Sequence, residues 1–174
     1  MTPMYDAILD ASTTILLKSG LEGWTVDAVA TSAGCAKGLV NYHFGSKDTL
    51  LAMVRERLEF ARRETRLSAL AKAEGTAALD SLWDLLAREV TSGSFGAWLD
   101  LIRHFGPATK AGRQADEERL AAAAARSLGV AEADLVPESP LIGPALDGFQ
   151  LRLLQGEPEA NVREGYDRLW LGVL

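Results

Sequence analysis

Cysteine, histidine and positive charge are all scarce in this chain, and each scarcity closes off a class of function. A single cysteine, Cys35, excludes an intrachain disulfide framework and fits a reducing compartment. The two histidines, His43 and His104, stand 61 residues apart, and no Cys/His/Asp/Glu group has metal-ligand spacing, so no metal site is expected. There is no glycine-rich phosphate loop and no nucleophile motif, so neither a cofactor nor an enzymatic centre is expected. No uncharged apolar run approaches the ~20 residues that cross a bilayer, which excludes a membrane as partner. The opening "MTPMYDAILDASTTILLKSG" lacks a basic n-region and carries Asp6 and Asp10, so it does not read as a secretory signal and a cytoplasmic location is expected. Basic residues number 18 against 24 acidic, a net charge of −6, which weighs against nucleic acid, whose partners usually carry positive surface.

What the chain has instead is helical periodicity with clear punctuation. Ile8, Ala11, Ile15 and Leu16 recur at 3.6-type spacing, and Gly20 closes the run. Thr25 can N-cap a short helix carrying Val26, Val29, Ala30 and Ala33, which Gly34 ends. Ser46 caps a long helix with an apolar stripe of Leu50, Leu51, Val54, Leu58 and Ala61, expected to run to about Gly75. Further helices are expected from Thr76 through Val90, from Ser94 to a stop at Gly106 and Pro107, and over 110–128 before Gly129. "LVPESP" reads as a loop, with Ser139 and Pro140 as N-cap and first residue of a helix through Leu146, Phe149 and Leu153. Pro158 opens the last helix. Apart from the alanines at 121–125 there is no low-complexity tract, repeat or period-2 run, so the expected fold is all-α, with eight or nine helices.

The stretch "AGCAKGLVNYHFGSKDTL", residues 33–50, crowds polar and aromatic side chains onto a short helix bounded by glycines. Short helices on either side of Gly34 suggest a helix-turn-helix. Its second helix, about Ala36 to His43, would lie in the DNA major groove with its first residues aimed at base edges. Lys37 has the chemistry for guanine O6 or N7, or for a phosphate, and Gly38 lets the backbone approach the duplex. Tyr42, His43 and Lys47 suit phosphate oxygens, as does Thr25 with the free N–H groups of its helix N-terminus. Asn41 either reads adenine or faces solvent or the head's own surface, His43 either contacts phosphate or is a structural hydrogen-bonder, and Tyr42 either contacts phosphate or is core. Phe44 reads as core against the first helix. Lys47 stands at a helix N-terminus, where the dipole disfavours a cation and invites an anionic partner. Cys35, beside a helix N-terminus, is either a reactive thiol or a small apolar turn residue.

The segments "ILDASTTILLKSG" and "TVDAVATSAGCAKGLVNYHFGSKDTLLAMV", spanning Ile8 to Val54, resemble the DNA-binding head of the tetracycline-repressor (TetR) family of bacterial regulators. "LDGFQLRLLQGEP", residues 146–158, is similar to the penultimate helix of many members. Two positions depart from the family pattern: Ala36 stands where a hydroxyl residue is common, and Asn41 where an aromatic is usual. The resemblance implies an all-helical homodimer, with residues 1–48 as the DNA-binding head and 49–174 as a ligand-binding and dimerisation body. It implies a ligand-responsive regulator, expected to be a repressor, that binds a palindromic double-stranded DNA operator and is released by a small-molecule effector. Residues 1–48 hold three basic groups (Lys18, Lys37, Lys47) and five acidic ones (Asp6, Asp10, Glu22, Asp27, Asp48), a balance of −2. Phosphate neutralisation supplies much of DNA affinity, so one such head binds weakly and two, set about 34–36 Å apart, are needed.

In the remainder, Trp83, Phe95, Trp98, Phe105 and Phe149, with Arg103 and His104 among them, form either plain core or the lining of an apolar effector pocket. Leu146, Phe149, Leu153, Tyr166, Leu169 and Trp170 give the last two helices amphipathic faces that can pair with a second copy as a four-helix bundle. Two rival classes stand beside a regulator. One is an enzyme using the aromatic cavity. The other, to which the acidic head and Ala36 point, is a helical interaction module that has lost specific DNA binding.

Overall fold

The computed structural model describes residues 3–106 and 109–173, and among these the chain is helical with no strand. In order they are α1 (Pro3–Ser19), α2 (Val26–Ser32), α3 (Lys37–Phe44), α4 (Lys47–Leu70), α5 (Thr76–Thr91), α6 (Ser94–Phe105), α7 (Lys110–Leu128), α8 (Glu132–Leu135), α9 (Ser139–Leu154) and α10 (Glu159–Val173). A 3₁₀ turn, Val136–Glu138, joins α8 to α9. Nine of the helices have seven residues or more, and the tenth, α8, is a single turn.

Local chemistry explains the element ends. Thr25 Oγ1 accepts from the Ala28 N–H at 3.1 Å and Ser46 Oγ from the Thr49 N–H at 3.0 Å, each satisfying an N–H that has no partner within its helix. α2 stops in a Schellman pair: the Cys35 N–H donates to Ala30 O at 2.9 Å and the Gly34 N–H to Thr31 O at 3.2 Å. That pair needs Gly34 at φ +66°, a conformation a side chain resists. The stop of α6 comes at Gly106, its C-cap, while Pro107 lies outside the described residues.

Three expectations differ. α4 ends at Leu70 rather than near Gly75, and the Gly75 N–H donates instead to Ser127 O on α7 at 2.7 Å. "LVPESP" is not a loop: Leu135 closes α8, the next three residues form the 3₁₀ turn, and Ser139 lies inside α9 with Glu138 as its N-cap. Ala61 is exposed, and Arg62 takes the inward position one residue later.

The described residues of Met1–Phe60 and Ser92–Pro107 form one compact unit, and those of Ala61–Thr91 and Ala108–Leu174 a second. The expected division at residue 48 cuts α4 two residues into its length, whereas the compact units change over in its middle. In the first unit, Ala97 and Leu101 of α6 share a core with Ile8, Trp24, Val29, Phe44 and Leu51, and Asp100 accepts the Leu21 N–H at 3.4 Å. In the second, Leu70, Leu82, Trp83, Leu146, Tyr166 and Trp170 make the core, with α7 packed against α9. Ala121, Ala124 and Ala125 are wholly buried there. That accounts for the alanine run, since small side chains let helix axes come close.

Candidate nucleic-acid interface

α3 is anchored on one side and open on the other. Val40 and Phe44 are buried, and the Phe44 ring stacks on Tyr5 of α1 with centroids 4.7 Å apart. The opposite face carries Ala36, Lys37, Gly38 and Asn41, all exposed, and Tyr42, which is 81% exposed. A Cβ built on Gly38 would meet nothing within 4 Å, so the backbone there is open to a close approach. His43 is half-buried, edge-on to Tyr5 at 6.2 Å and to Tyr42 at 5.3 Å. Ala36 caps α3 with extended backbone (φ −75°, ψ 144°) and no side-chain hydrogen bond. The exposed ring and hydroxyl of Tyr42 are open to an outside partner.

The cations of this face have partners within the chain. Lys37 Nζ lies 2.8 Å from Asp27 Oδ2 of α2. Lys47, the first residue of α4, holds Nζ 5.4 Å from the centre of the Trp24 ring, a cation–π placement. Trp24 itself is 1% exposed and donates from Nε1 to Ser12 Oγ at 2.9 Å. Thr25 is exposed beside it, its hydroxyl oxygen occupied by the cap. Two residues of this region hold contacts that their sequence neighbours do not announce, Trp24 and Asp27. Trp24 precedes the N-cap and Val29 follows it by four, the spacing of a hydrophobic staple, and both lie in the same core. No local signal marks Asp27.

The aromatic residues expected around an effector divide between the units. Trp83 and Phe149 belong to the second, flanking Tyr166 with centroids at 5.2 and 6.0 Å. Trp83 is 3% exposed and donates to Glu159 Oε1 at 3.2 Å. Phe95, Trp98, Arg103, His104 and Phe105 all lie on α6 in the first unit, where Arg103 and His104 are exposed and His104 Nε2 approaches Asp48 Oδ1 at 3.3 Å. A groove of about 540 Å³ in the second unit, bounded by Leu67, Ala71, Arg119, Ala122, Ala123 and Arg126, contains none of these seven. The residues expected to pair two copies are also inward. Leu146 and Tyr166 are 0% exposed, Trp170 is 2%, and Phe149, Leu153 and Leu169 pack against the same core. Phe149, Leu153 and Leu169 remain half-buried, and the exposed large apolar side chains of α9 and α10 are Leu141, Leu151, Leu154 and Leu171.

The second unit also holds a buried ionic cluster that the sequence did not announce. Arg62 and Arg66 of α4 donate to Asp147 Oδ1 of α9 at 3.1 and 2.9 Å, and to Gln150 Oε1 at 2.9 and 2.8 Å. Gln150, wholly buried, donates from its amide nitrogen to Leu86 O at 3.0 Å and to Glu89 Oε2 at 2.8 Å. Burial, and then the like charge of Arg66, lowers the Arg62 guanidinium to about 10, against the pull of Asp147 and Glu89. Two guanidinium groups and two carboxylates thus meet around one amide.

With the geometry described, the chain can be set beside known proteins. Residues 8–54 match the family model "Bacterial regulatory proteins, tetR family". No curated protein matches the chain. Among solved structures, a TetR-family transcriptional regulator from Streptomyces coelicolor is 23% identical, with 98% of this chain and 96% of that one covered and a TM-score of 0.65. A TetR family transcription regulator from Marinobacter aquaeolei VT8 is 17% identical over 96% of this chain and 93% of that one, with a TM-score of 0.63. The multidrug binding protein EbrR, solved with imidazole, is 23% identical over 97% and 93%, with a TM-score of 0.61. Residues 8–54 thus match the N-terminal segment of the tetR family, and the described fold is that of solved TetR-family regulators.

Proposed function

We propose that this chain is a ligand-responsive repressor that binds a palindromic operator as a homodimer. Residues 1–48 serve as the DNA-binding part and 49–174 as the body that pairs and receives the effector. The observation that carries the reading is the open face of α3, where Tyr42 is 81% exposed beside Lys37, Gly38 and Asn41. α3 enters the major groove, Lys37 and Asn41 face base edges, and Thr25, Tyr42, His43 and Lys47 take phosphates.

Pairing is supported by a surface stripe. On α9, Leu141, Pro144, Gly148 and Leu151 follow at helical spacing and are all exposed, and a Cβ on Gly148 would meet nothing within 4 Å. With Leu154 and Leu171 they offer a partner copy an apolar seam with one close-approach point. The effector is assigned to the second unit, to which Trp83 and Phe149 belong, and small-molecule binding by a protein of this fold has a counterpart in EbrR, a multidrug binding protein solved with imidazole. Because α4 runs unbroken from Lys47 to Leu70, an effector that favours one setting of its Arg62–Arg66 portion shifts the heads, and only by its difference in affinity for the two states.

The test is selection from a random duplex pool at about 50 mM salt, where phosphate contacts still hold. Enrichment of an inverted repeat supports the regulator. The uncapped α3 and the acidic head favour one alternative, an interaction module without specific DNA binding. Recovery of no sequence over the starting pool would favour that alternative.

A further inference from the structure

The exposed face of the head contains one residue that works against it. Asp27 lies in the first turn of α2, between the capping Thr25 and the open end of α3, and its side chain is 71% exposed. A carboxylate there repels a phosphate backbone. It also has a specific partner, since Lys37 Nζ sits 2.8 Å from Asp27 Oδ2 and remains 56% exposed itself. Lys37 is the first residue of α3, where the helix dipole disfavours a cation, and Ala36 offers no side chain to the helix end. A lysine so placed takes whatever anion is nearest, and in the free protein that anion is Asp27. Lys47, the other cation near α3, rests over Trp24. Of the head's three lysines this leaves only Lys18, in the last turn of α1, outside these two internal contacts.

We propose that Asp27 is a specificity-determining positioning residue: it holds Lys37 away from the backbone of unrelated DNA and yields it only to an operator base edge. The inference rests on the DNA-binding reading above. A guanine edge offers Lys37 two acceptors, O6 and N7, at one point of the groove, where Asp27 and a phosphate each offer a single solvated contact. A lone phosphate on random DNA is no better a partner than Asp27, since exposed ion pairs are worth little and exchange readily. On random duplex, then, Lys37 stays with Asp27 and releases no counterion.

The test measures fluorescence anisotropy of a random-sequence 30-bp duplex with the full chain from 25 to 200 mM KCl. The proteins are the native sequence, Asp27→Asn, Lys37→Ala and the double variant. Freed from its carboxylate, Lys37 engages a phosphate. Asp27→Asn should therefore bind random duplex about 2–5-fold tighter, with a salt slope steeper by about 0.9, the release expected for one neutralised phosphate. Lys37→Ala alone should leave the slope unchanged, and the steepening should vanish in the double variant. Both positions are exposed, so far-ultraviolet circular dichroism should be the same for all four. An unchanged slope in Asp27→Asn, or a steepening that persists without Lys37, overturns the role of Asp27 while leaving DNA binding intact. Absence of binding by all four at 25 mM KCl overturns the DNA-binding reading, and this inference with it.

Discussion

Glu89 offers the sharpest test of how the second unit is held together. Its side chain is 7% exposed, and Oε2 accepts from Gln150 at 2.8 Å while lying 3.4 Å from Arg62 Nε and 3.9 Å from an Arg66 terminal nitrogen. Glu89→Gln keeps the shape and removes the charge. At 3.4 Å and an effective dielectric near 20, the lost attraction to Arg62 is about 5 kcal/mol. Desolvation had already consumed much of that gain, at several kcal/mol per buried ion. Once the carboxylate is gone, however, Arg62 and Arg66 still pay that desolvation, with only Asp147 left to answer them. Asp147 is 37% exposed and therefore screened. We expect a loss of about 3 kcal/mol, the low end for breaking a buried pair.

Urea unfolding at fixed protomer concentration would register the change as a lower midpoint with unchanged slope. Raising the pH provides a control. The Arg62 pKa in the folded state is lowered to about 10 and falls further without Glu89. The folded chain then sheds a proton that the unfolded chain keeps, and stability rises with pH through that value. The penalty of Glu89→Gln should therefore shrink between pH 7 and 10. A loss under about 1 kcal/mol at pH 7, or a penalty that grows with pH, would refute the account of the cluster as a charge balance.

Three further outcomes follow from other sites. Tyr166 donates to Leu79 O at 2.7 Å and is wholly buried, so Tyr166→Phe should cost about 0.5–1.5 kcal/mol for the lost hydrogen bond, as read from thermal unfolding. Burial pushes its phenol well above the ordinary value near 10, so stability present below pH 10 is lost as pH rises past it, and the variant should lose less on the alkaline side. Ala36 already has extended backbone, so Ala36→Ser should add about 1 kcal/mol and raise Tm by about 2–4 °C, and a lowered Tm would show that the N-cap is not free. Leu151→Glu combined with Leu171→Glu places charges on the exposed stripe and should give a species of 18.7 kDa by light scattering, where the native chain gives twice that. A dimer that survives both changes would put the seam elsewhere.

The head was legible because its determinants are local. A threonine before an apolar turn, a glycine after one and a serine before the next act on N–H and C=O groups within four residues, and Thr25, Gly34 and Ser46 each do so. Asp27 was not legible because its partner stands ten positions away across the turn, and the pairing depends on the angle at which α2 and α3 meet. The same limit applies to α6. Its aromatic residues read correctly as apolar, but nothing in Ser94–Phe105 reveals that the helix joins the core of α1, α2 and α3.

In α4 helix phase, not residue class, decides which side chains turn inward. Leu50, Leu51, Val54 and Leu58 are buried as expected, and the next inward turns fall at positions 62, 66 and 69–70. Ala61 is apolar and adjoins that stripe, but helix phase turns Arg62 inward in its place. Followed strictly, the phase would have put two arginines inside and required buried carboxylates opposite them, since unpaired guanidinium groups do not stay buried. Candidates were in view: Glu89 closes the inward face set by Leu82 and Leu86, and Gln150 lies four residues beyond Leu146 on the inward face of α9. Periodicity can therefore identify a buried ionic cluster from sequence when charged residues continue an apolar stripe on several helices at once.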